Sequence, residues 1–109
     1  MQKLRTSSPI LDVTVSVCGD RALIGLVGEL DQTSRHQVDE ALDALARAGT
    51  HHFRIDASGL TFTGSAGAHS ISVLLDNYPA SLVTLMGASP IYRRMLEFDG
   101  TDTRLTLVA

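Results

Sequence analysis

From residue 34 to residue 108, segments with the apolar spacing of a helix alternate with short apolar segments that are typical of strands. Helices are predicted at 34–47, 65–76 and 90–99, and strands at 51–57, 81–87 and 104–108. A helix between two neighbouring strands forms a crossover that joins parallel strands and is nearly always right-handed. The alternation therefore predicts an α/β fold in which helices pack against a sheet.

Two further strands are predicted before this alternation. Residues 11–18 place apolar side chains at every second position, which predicts a half-exposed strand at the sheet edge. A turn signal at Gly19–Asp20 joins it to residues 21–30, which are apolar on both faces and predict a strand covered on each side. The predicted order is β-β-α-β-α-β-α-β, a mixed sheet in one domain of residues 1–109, with residues 1–9 as a flexible N-terminal segment.

The composition argues against several classes of function. Nine basic against twelve acidic residues give a formal net charge of −3, and the longest basic cluster is the pair Arg93–Arg94, so no nucleic acid partner is expected. Cys18 is the single cysteine, which excludes an internal disulfide and a multi-cysteine metal site. The longest apolar run, residues 22–28, is too short to cross a bilayer, so we expect a cytoplasmic protein without membrane insertion.

The predicted helices carry recognisable end signals. Ser34 and Gln37 have the spacing of a capping box at the start of the first helix, and Gly49 is placed to end it. Ser89 is predicted to cap the third helix, with Pro90 at the first helical position, where its missing N–H group costs nothing.

The stretch FTGSAGAHSISVLLD, residues 62–76, places a serine where an apolar strand region gives way to an amphipathic helix. With the helix starting at this serine, a rotation of about 100° per residue puts four residues on one polar stripe: Ser65, His69, Ser72 and Asp76. Ser65 is therefore expected to face solvent. The free N–H groups and the positive dipole end of a helix N-terminus favour an anion, so a phosphate on Ser65 would be tolerated locally.

The glycines beside Ser65 allow two interpretations. Gly64 and Gly67 leave little side-chain bulk, so the active site of another protein could approach the hydroxyl closely, and glycine also permits a tight turn. The same pattern is typical of a serine that caps a helix between turn glycines, and the spacing alone favours this second interpretation.

A catalytic nucleophile is a third interpretation of Ser65. The segment TGSAG is similar to the G-x-S-x-G turn of serine hydrolases, but Thr63 stands where the first glycine belongs. His69 lies one helical turn from Ser65, whereas Asp76 lies about 10 Å further along the helix, too far to orient the imidazole. Because no triad assembles from this helix, we expect that the protein is not an enzyme.

The other candidate side chains indicate structural roles. His51 and His52 are consecutive in a predicted strand and point to opposite faces, so they cannot share a metal ion. His36 is expected at the surface in the first turn of a helix, and Cys18 at the end of a strand. Asp56 is interpreted as an acceptor that braces the loop following its strand. Neither a cofactor nor a metal is predicted.

Together, three signals resemble the STAS family, the fold of bacterial anti-sigma factor antagonists, over nearly the whole chain. The first is GELD at residues 28–31, at the end of the second predicted strand. The second is IDASGLTFTGSAG at residues 55–67, which is similar to the family's strand–loop pattern ending in an Asp-Ser-Ser-Gly tetrad. The third is the order of the elements.

The resemblance assigns roles to individual residues. The family's phosphorylated Ser or Thr, at the second position of the tetrad, corresponds to Ser65, and its acidic loop residue corresponds to Asp31. The first position of the tetrad, usually Asp, is Gly64 here, and the third, often Ser, is Ala66. Glu29 and Asp31 would lie at the same end of the sheet as Ser65 and add negative charge there.

The resemblance implies a partner-switching function. The unmodified protein would bind an anti-sigma factor with an ATP-binding serine kinase domain and so free a sigma factor, and phosphorylation at Ser65 would end that binding. The residues expected to contact the partner are Glu29, Asp31, Thr63, Gly64, Ser65, Ala66, Gly67, His69 and Ser72. The alternative is a non-phosphorylated STAS subunit or scaffold of another complex, such as a stress-signalling or lipid-transport assembly, in which Ser65 is only a helix cap.

Overall fold

A computed structural model describes residues 2–109 of the chain, which form a mixed sheet of six strands, three α-helices and one 3-10 helix. The strands are β1 (Gln2–Ser7), β2 (Leu11–Cys18), β3 (Arg21–Leu30), β4 (His52–Thr63), β5 (Leu82–Met86) and β6 (Thr106–Val108). The helices are α1 (Arg35–Arg47), α2 (Ser65–Asn77) and α3 (Pro90–Phe98), and the 3-10 helix is Thr101–Arg104. The predicted α/β class with a mixed sheet is confirmed.

The N-terminal segment is a strand, which corrects two predictions. Gln2–Ser7 forms β1 and pairs antiparallel with β2, with Leu4 opposite Val15, so most of the segment predicted to be flexible belongs to the sheet. Consequently β2 lies inside the sheet and not at its edge. Backbone pairing holds β1 in place, together with an ion pair of 2.8 Å between Arg5 and Asp12.

The strands follow one another across the sheet in chain order. The predicted hairpin of β2 and β3 is confirmed, with Gly19 at φ +61° in its turn. The pairs β3–β4, β4–β5 and β5–β6 are parallel, and each is connected by a helix. Crossovers of one hand that progress in one direction place all their helices on the same face of the sheet.

The core lies between that face and the helices. Its largest fully buried side chains come from strands and helices alike: Leu11, Ile24, Leu26, Phe53, Ile55, Leu85, Leu42, Ile71, Tyr92 and Leu96. The opposite face, which we call the open face, carries the outward side chains of the strands, including Leu23, Val27, Arg54, Asp56 and Met86. The prediction that β3 is covered on each side is wrong, because Leu23 is 47% and Val27 56% exposed.

The capping box predicted for α1 does not form. The Ser34 hydroxyl donates to the Glu29 carbonyl at 2.8 Å instead of accepting from the helix. The Gln37 side chain accepts from the Ser8 hydroxyl at 2.9 Å and donates to the Leu11 carbonyl at 3.1 Å. Both side chains therefore form hydrogen bonds with polar groups outside the helix and not with the N–H groups at its start.

The other predicted helix ends are confirmed. Gly49 follows α1 with φ +104°, and its N–H group donates to the Ala46 carbonyl at 3.1 Å. The Ser89 hydroxyl accepts from the Tyr92 N–H group at 3.1 Å, and Pro90 begins α3. Among the helices of residues 2–109, none combines the length and the apolar character that a membrane crossing requires.

Candidate functional site

The ends of β3 and β4 bring two loops together at one edge of the sheet. Leu30, the last residue of β3, pairs with Thr63, the last residue of β4, and the Gly64 N–H group donates to the Leu30 carbonyl at 3.1 Å. Asp31 follows the first of these strands and Ser65 the second. The parallel pairing therefore places the acidic loop and the serine side by side.

Ser65 is the first residue of α2 and is exposed. The capping position belongs to Gly64, with φ −92° and ψ −170°, so the interpretation of Ser65 as the helix cap is wrong. Within residues 2–109 the Ser65 hydroxyl has no hydrogen-bond partner. The hydroxyl therefore points to solvent beside the uncapped N–H groups of the helix, where the helix dipole favours a negative charge.

Asp31 closes the turn that leads into α1. One carboxylate oxygen, Oδ1, accepts from the N–H groups of Thr33 and Ser34, each at 2.9 Å, and from the Ser34 hydroxyl at 3.2 Å. These bonds, above all the one from the Ser34 N–H group, lower the pKa of Asp31 below its ordinary value. The loop thus carries an ionised carboxylate at neutral pH, two residues after Glu29, whose side chain is exposed.

Gly67 is buried, which corrects the interpretation that it opens access to Ser65. A Cβ atom at this position would lie 2.6 Å from Thr63 Cγ2, 3.1 Å from Tyr92 Cζ and 3.2 Å from Leu30 Cδ2. The Tyr92 hydroxyl also donates to the Gly67 carbonyl at 3.1 Å, and burial raises the pKa of Tyr92. Glycine at this position serves the packing of α2 on the sheet and on α3.

Gly64 has the opposite character. Its φ of −92° is open to any residue, and a Cβ atom there would lie 3.6 Å from the nearest ring carbon of Phe62, an ordinary contact. Neither the backbone nor the packing therefore requires glycine at the position where the family usually has Asp.

The predicted contact residues divide by exposure. Glu29, Ser65 and His69 are exposed; Asp31, Gly64 and Ser72 are half-buried; Thr63, Ala66 and Gly67 are buried. The polar stripe predicted on α2 is confirmed, and Asp76 at its far end forms an ion pair of 2.8 Å with Arg104. The three buried residues lie below this surface, and contact of any of the nine residues with a partner stays a prediction.

Phe62 is a residue of this surface that the sequence reasoning missed. Its ring is 51% exposed, it stands opposite Glu29 in the strand pairing, and it lies beside Gly64. The signal was an aromatic residue between two threonines directly before the loop. Phe62 is the last residue but one of β4, in an exposed part of the strand.

The structure gives no support to catalytic chemistry at Ser65. His69 lies one turn along α2, while Asp76 is held by Arg104 at the other end of the helix, so the two cannot form a charge-relay pair with Ser65. No cluster of three or more potential metal-binding side chains occurs within residues 2–109.

Asp56 is a hydrogen-bond acceptor, as predicted, but it braces β4 itself and not a following loop, because β4 continues to Thr63. Its Oδ1 accepts from the Ser58 hydroxyl at 2.7 Å and from the Ser58 N–H group at 3.0 Å. These two bonds, the hydroxyl bond first, lower the pKa of Asp56. They hold β4 where its pairing with β3 shifts register, between Gly25 and Val27.

Comparisons with known proteins agree with this fold. The structure of the anti-sigma factor antagonist SpoIIAA in its unphosphorylated form matches at 19% sequence identity with a TM-score of 0.75. The match covers 89% of this chain and 88% of that chain. An anti-sigma factor antagonist from Mycobacterium paratuberculosis matches at 20% sequence identity with a TM-score of 0.79. The match covers 94% of this chain and 90% of that chain. The phosphorylated form of the Bacillus cell fate determinant SpoIIAA matches at 19% sequence identity with a TM-score of 0.71. The match covers 89% of this chain and 91% of that chain.

At these identities the structures show a shared fold. No curated protein sequence matches the chain significantly. The family model for the STAS domain of Mlab matches residues 13–109. That match covers nearly the whole chain, from β2 to the end of β6. The protein therefore belongs to the family of STAS domains.

Proposed function

We propose that the protein is a non-enzymatic binding module of the cytoplasm, an anti-sigma factor antagonist whose binding is ended by phosphorylation at Ser65. Its partner would be an anti-sigma factor with a serine kinase domain. The observation that carries the proposal is the Ser65 hydroxyl, which is exposed at the first position of α2 and unbonded within residues 2–109. Anti-sigma factor antagonism is also what two of the similar structures are named for, and SpoIIAA is known in unphosphorylated and phosphorylated forms.

The chemistry of the switch follows from the charge of a phosphate. Phosphorylation adds about −1.5 to −2 charges, which the N-terminus of α2 tolerates in the free protein. A partner surface that accepted a neutral hydroxyl would face an unpaired dianion after the modification. A penalty of about 3 kcal/mol would weaken binding more than a hundredfold, because each 1.4 kcal/mol is about tenfold.

The surroundings of Ser65 supply contacts for the unmodified state. The half-exposed ring of Phe62 offers an apolar anchor, and aromatic side chains, Phe included, are enriched in protein interfaces. Glu29 and Asp31 border the same surface with negative charge. A partner with an apolar pocket rimmed by basic side chains would complement this surface, and electrostatic attraction would speed association.

The test is a pull-down from lysate of the source organism. Wild type, Ser65→Ala and Ser65→Asp serve as baits, and bound proteins and phosphopeptides of residues 62–76 are identified by mass spectrometry. The proposal predicts that wild type and Ser65→Ala retain a kinase-like anti-sigma factor that Ser65→Asp loses. Asn77→Asp is the matched control, because it adds the same charge at the exposed opposite end of α2. Equal recovery by all four baits would refute the switch.

A second candidate is a STAS subunit or scaffold in another complex, such as a stress-signalling or lipid-transport assembly, without phosphorylation. It is favoured by Gly64, which replaces the usual Asp although the backbone would accept a side chain, and by the match to the family model named for Mlab. In that case the four baits would recover the same non-kinase partners, and residues 62–76 would carry no phosphate. Because Gly64, and not Ser65, occupies the capping position of α2, Ser65→Ala would also leave stability unchanged.

A further inference from the structure

The open face of the sheet is uncovered although most of its strands are parallel. All-parallel sheets are almost always covered on both faces by crossover helices, whereas antiparallel sheets often leave one face to water, and this sheet combines both kinds of pairing. Here the helices cover one face, and four apolar side chains on the other remain about half exposed: Leu23 at 47%, Val27 at 56%, Leu82 at 59% and Val108 at 43%. Such a face is suited to packing against another protein surface.

Charge is distributed unequally along the strands of the open face. Arg21 and Arg54 lie in the first two outward rows of β3 and β4, Asp56 lies in the third row, and Glu29 lies next to the end of β3. A line between the second and third rows separates the two basic side chains from the two acidic ones. None of these four forms an ion pair within residues 2–109. The face therefore has a basic half and an acidic half.

We propose that the open face is the interface of a symmetric dimer of this chain. A twofold axis between the two sheets, parallel to them and at right angles to their strands, inverts the second copy along the strand direction. Its acidic half then faces the basic half of the first copy, and the reverse holds at the other end. The surface is thus self-complementary, as a twofold interface requires, and the proposal does not depend on the role of Ser65.

The centre of this arrangement is defined by the strand pairing. Leu23 pairs with Arg54, and Gly25 pairs with Asp56, in successive outward rows of β3 and β4. With the axis between these rows, Arg54 of each copy lies opposite Asp56 of the other. Leu23 of each copy lies opposite Gly25 of the other, a position without a side chain of its own beside the Thr14 hydroxyl. At Gly25 a Cβ atom would lie 2.6 Å from Thr14 Oγ1, so the position is kept small.

The area of the face is sufficient for a specific but weak dimer. Strands about 4.8 Å apart with a rise of about 3.3 Å per residue give a face of about 25 by 20 Å, or roughly 500 Å² per copy. Two copies would bury about 1,000 Å², the lower end of specific interfaces. Twisted sheets that pack face to face keep their strands within about 30° of each other, which the inverted arrangement allows.

Charge reversal tests the arrangement by sedimentation equilibrium from micromolar to millimolar protein. Wild type is expected to dimerise, and both Arg54→Asp and Asp56→Arg to dimerise at least about tenfold more weakly, because each creates like-charged pairs across the axis. An equimolar mixture of the two variants should regain dimers, since position 54 of one variant then meets the opposite charge at position 56 of the other. Circular dichroism first establishes that both variants are folded. Recovery of dimers in the mixture then shows that the loss of dimers in each variant alone comes from charge repulsion across the axis.

Arg94→Asp is the matched control, because it makes the same change of charge on an exposed position of α3, away from the open face. It should dimerise like wild type and should associate with Asp56→Arg more weakly than Arg54→Asp does, because only one of the two pairs across the axis is then attractive. A wild-type chain that stays monomeric at millimolar concentration overturns the proposal and leaves the open face to a partner of another sequence. Failure of the mixed variants to associate also overturns it. Neither result bears on partner binding at Ser65, which is measured separately.

Discussion

At the scale of single residues, the two glycines near Ser65 differ in whether the structure requires a glycine at that position. Gly67 is enclosed by Thr63, Leu30 and Tyr92, whereas Gly64 has ordinary space and an ordinary backbone conformation. The sequence shows both as glycines near a helix start, and nothing local distinguishes them. The distinction arises from contacts with α3 and β3, which lie far away in the chain.

Gly67→Ala is expected to destabilise the protein by about 1–3 kcal/mol, because the new methyl group overpacks against Thr63 and the Tyr92 ring. The free energy of unfolding is measured in urea. Gly64→Asp is the contrasting variant: its carboxylate can cap α2, and loss of the flexible glycine favours folding, so stability should rise by a few tenths of a kcal/mol or more. Equal effects of the two substitutions would contradict the packing argument.

Asp31 predicts an acid-sensitive turn. The hydrogen bonds from Ser34 and Thr33 lower the pKa of Asp31 in the folded protein below the unfolded value of 3.8. Its contribution to stability is therefore complete above that value and is lost as the pH falls through the lower folded pKa. Asp31→Asn keeps an acceptor oxygen but cannot ionise, so its stability should fall less between neutral pH and about pH 3 than that of wild type. Urea unfolding of both at each pH checks this; parallel losses would contradict it.

At the scale of elements, helix ends were predicted correctly where the hydrogen-bond partner lies nearby in the chain. They were predicted wrongly where groups outside the helix compete for the capping side chains. The Ser89 cap could be predicted because its partner, the Tyr92 N–H group, lies three residues away. The capping box at Ser34 failed because the Glu29 carbonyl and the distant Ser8 hydroxyl compete for its members. The acidic loop and the serine were correctly predicted to share one edge, since parallel strands finish at the same end of a sheet.

Two caps provide a direct comparison between elements. Ser89→Ala removes the side chain that accepts from Tyr92 and should cost about 0.5–2 kcal/mol of stability. Ser65→Ala removes a hydroxyl without a partner in residues 2–109 and should leave the unfolding free energy unchanged. Thermal and urea unfolding of both variants provide the measurement. A loss at Ser65 as large as that at Ser89 would mean that the Ser65 hydroxyl does cap α2.

At the scale of the whole molecule, the sequence predicted the order of the elements from β2 onward, together with the fold family. It missed β1 because Gln2–Ser7 has few apolar residues and is held mainly by pairing with β2. It also missed the open face, since an apolar side chain on a strand does not reveal whether anything lies above it. Both omissions concern which surfaces of the sheet are covered, and periodicity within one strand carries no such information.

Removal of residues 1–7 tests what β1 contributes to the whole sheet. A cavity of about 360 Å³ lies between β1 and α1, and Leu4 is 56% exposed. The deletion therefore removes few packing contacts of the core. It does expose the backbone edge of β2, and free edges pair with other chains. We expect a modest loss of stability but marked aggregation, measured by light scattering on warming. Arg5→Ser, which removes the ion pair with Asp12 but keeps the strand, should not aggregate. If it did, the lost charge and not the exposed edge would be responsible.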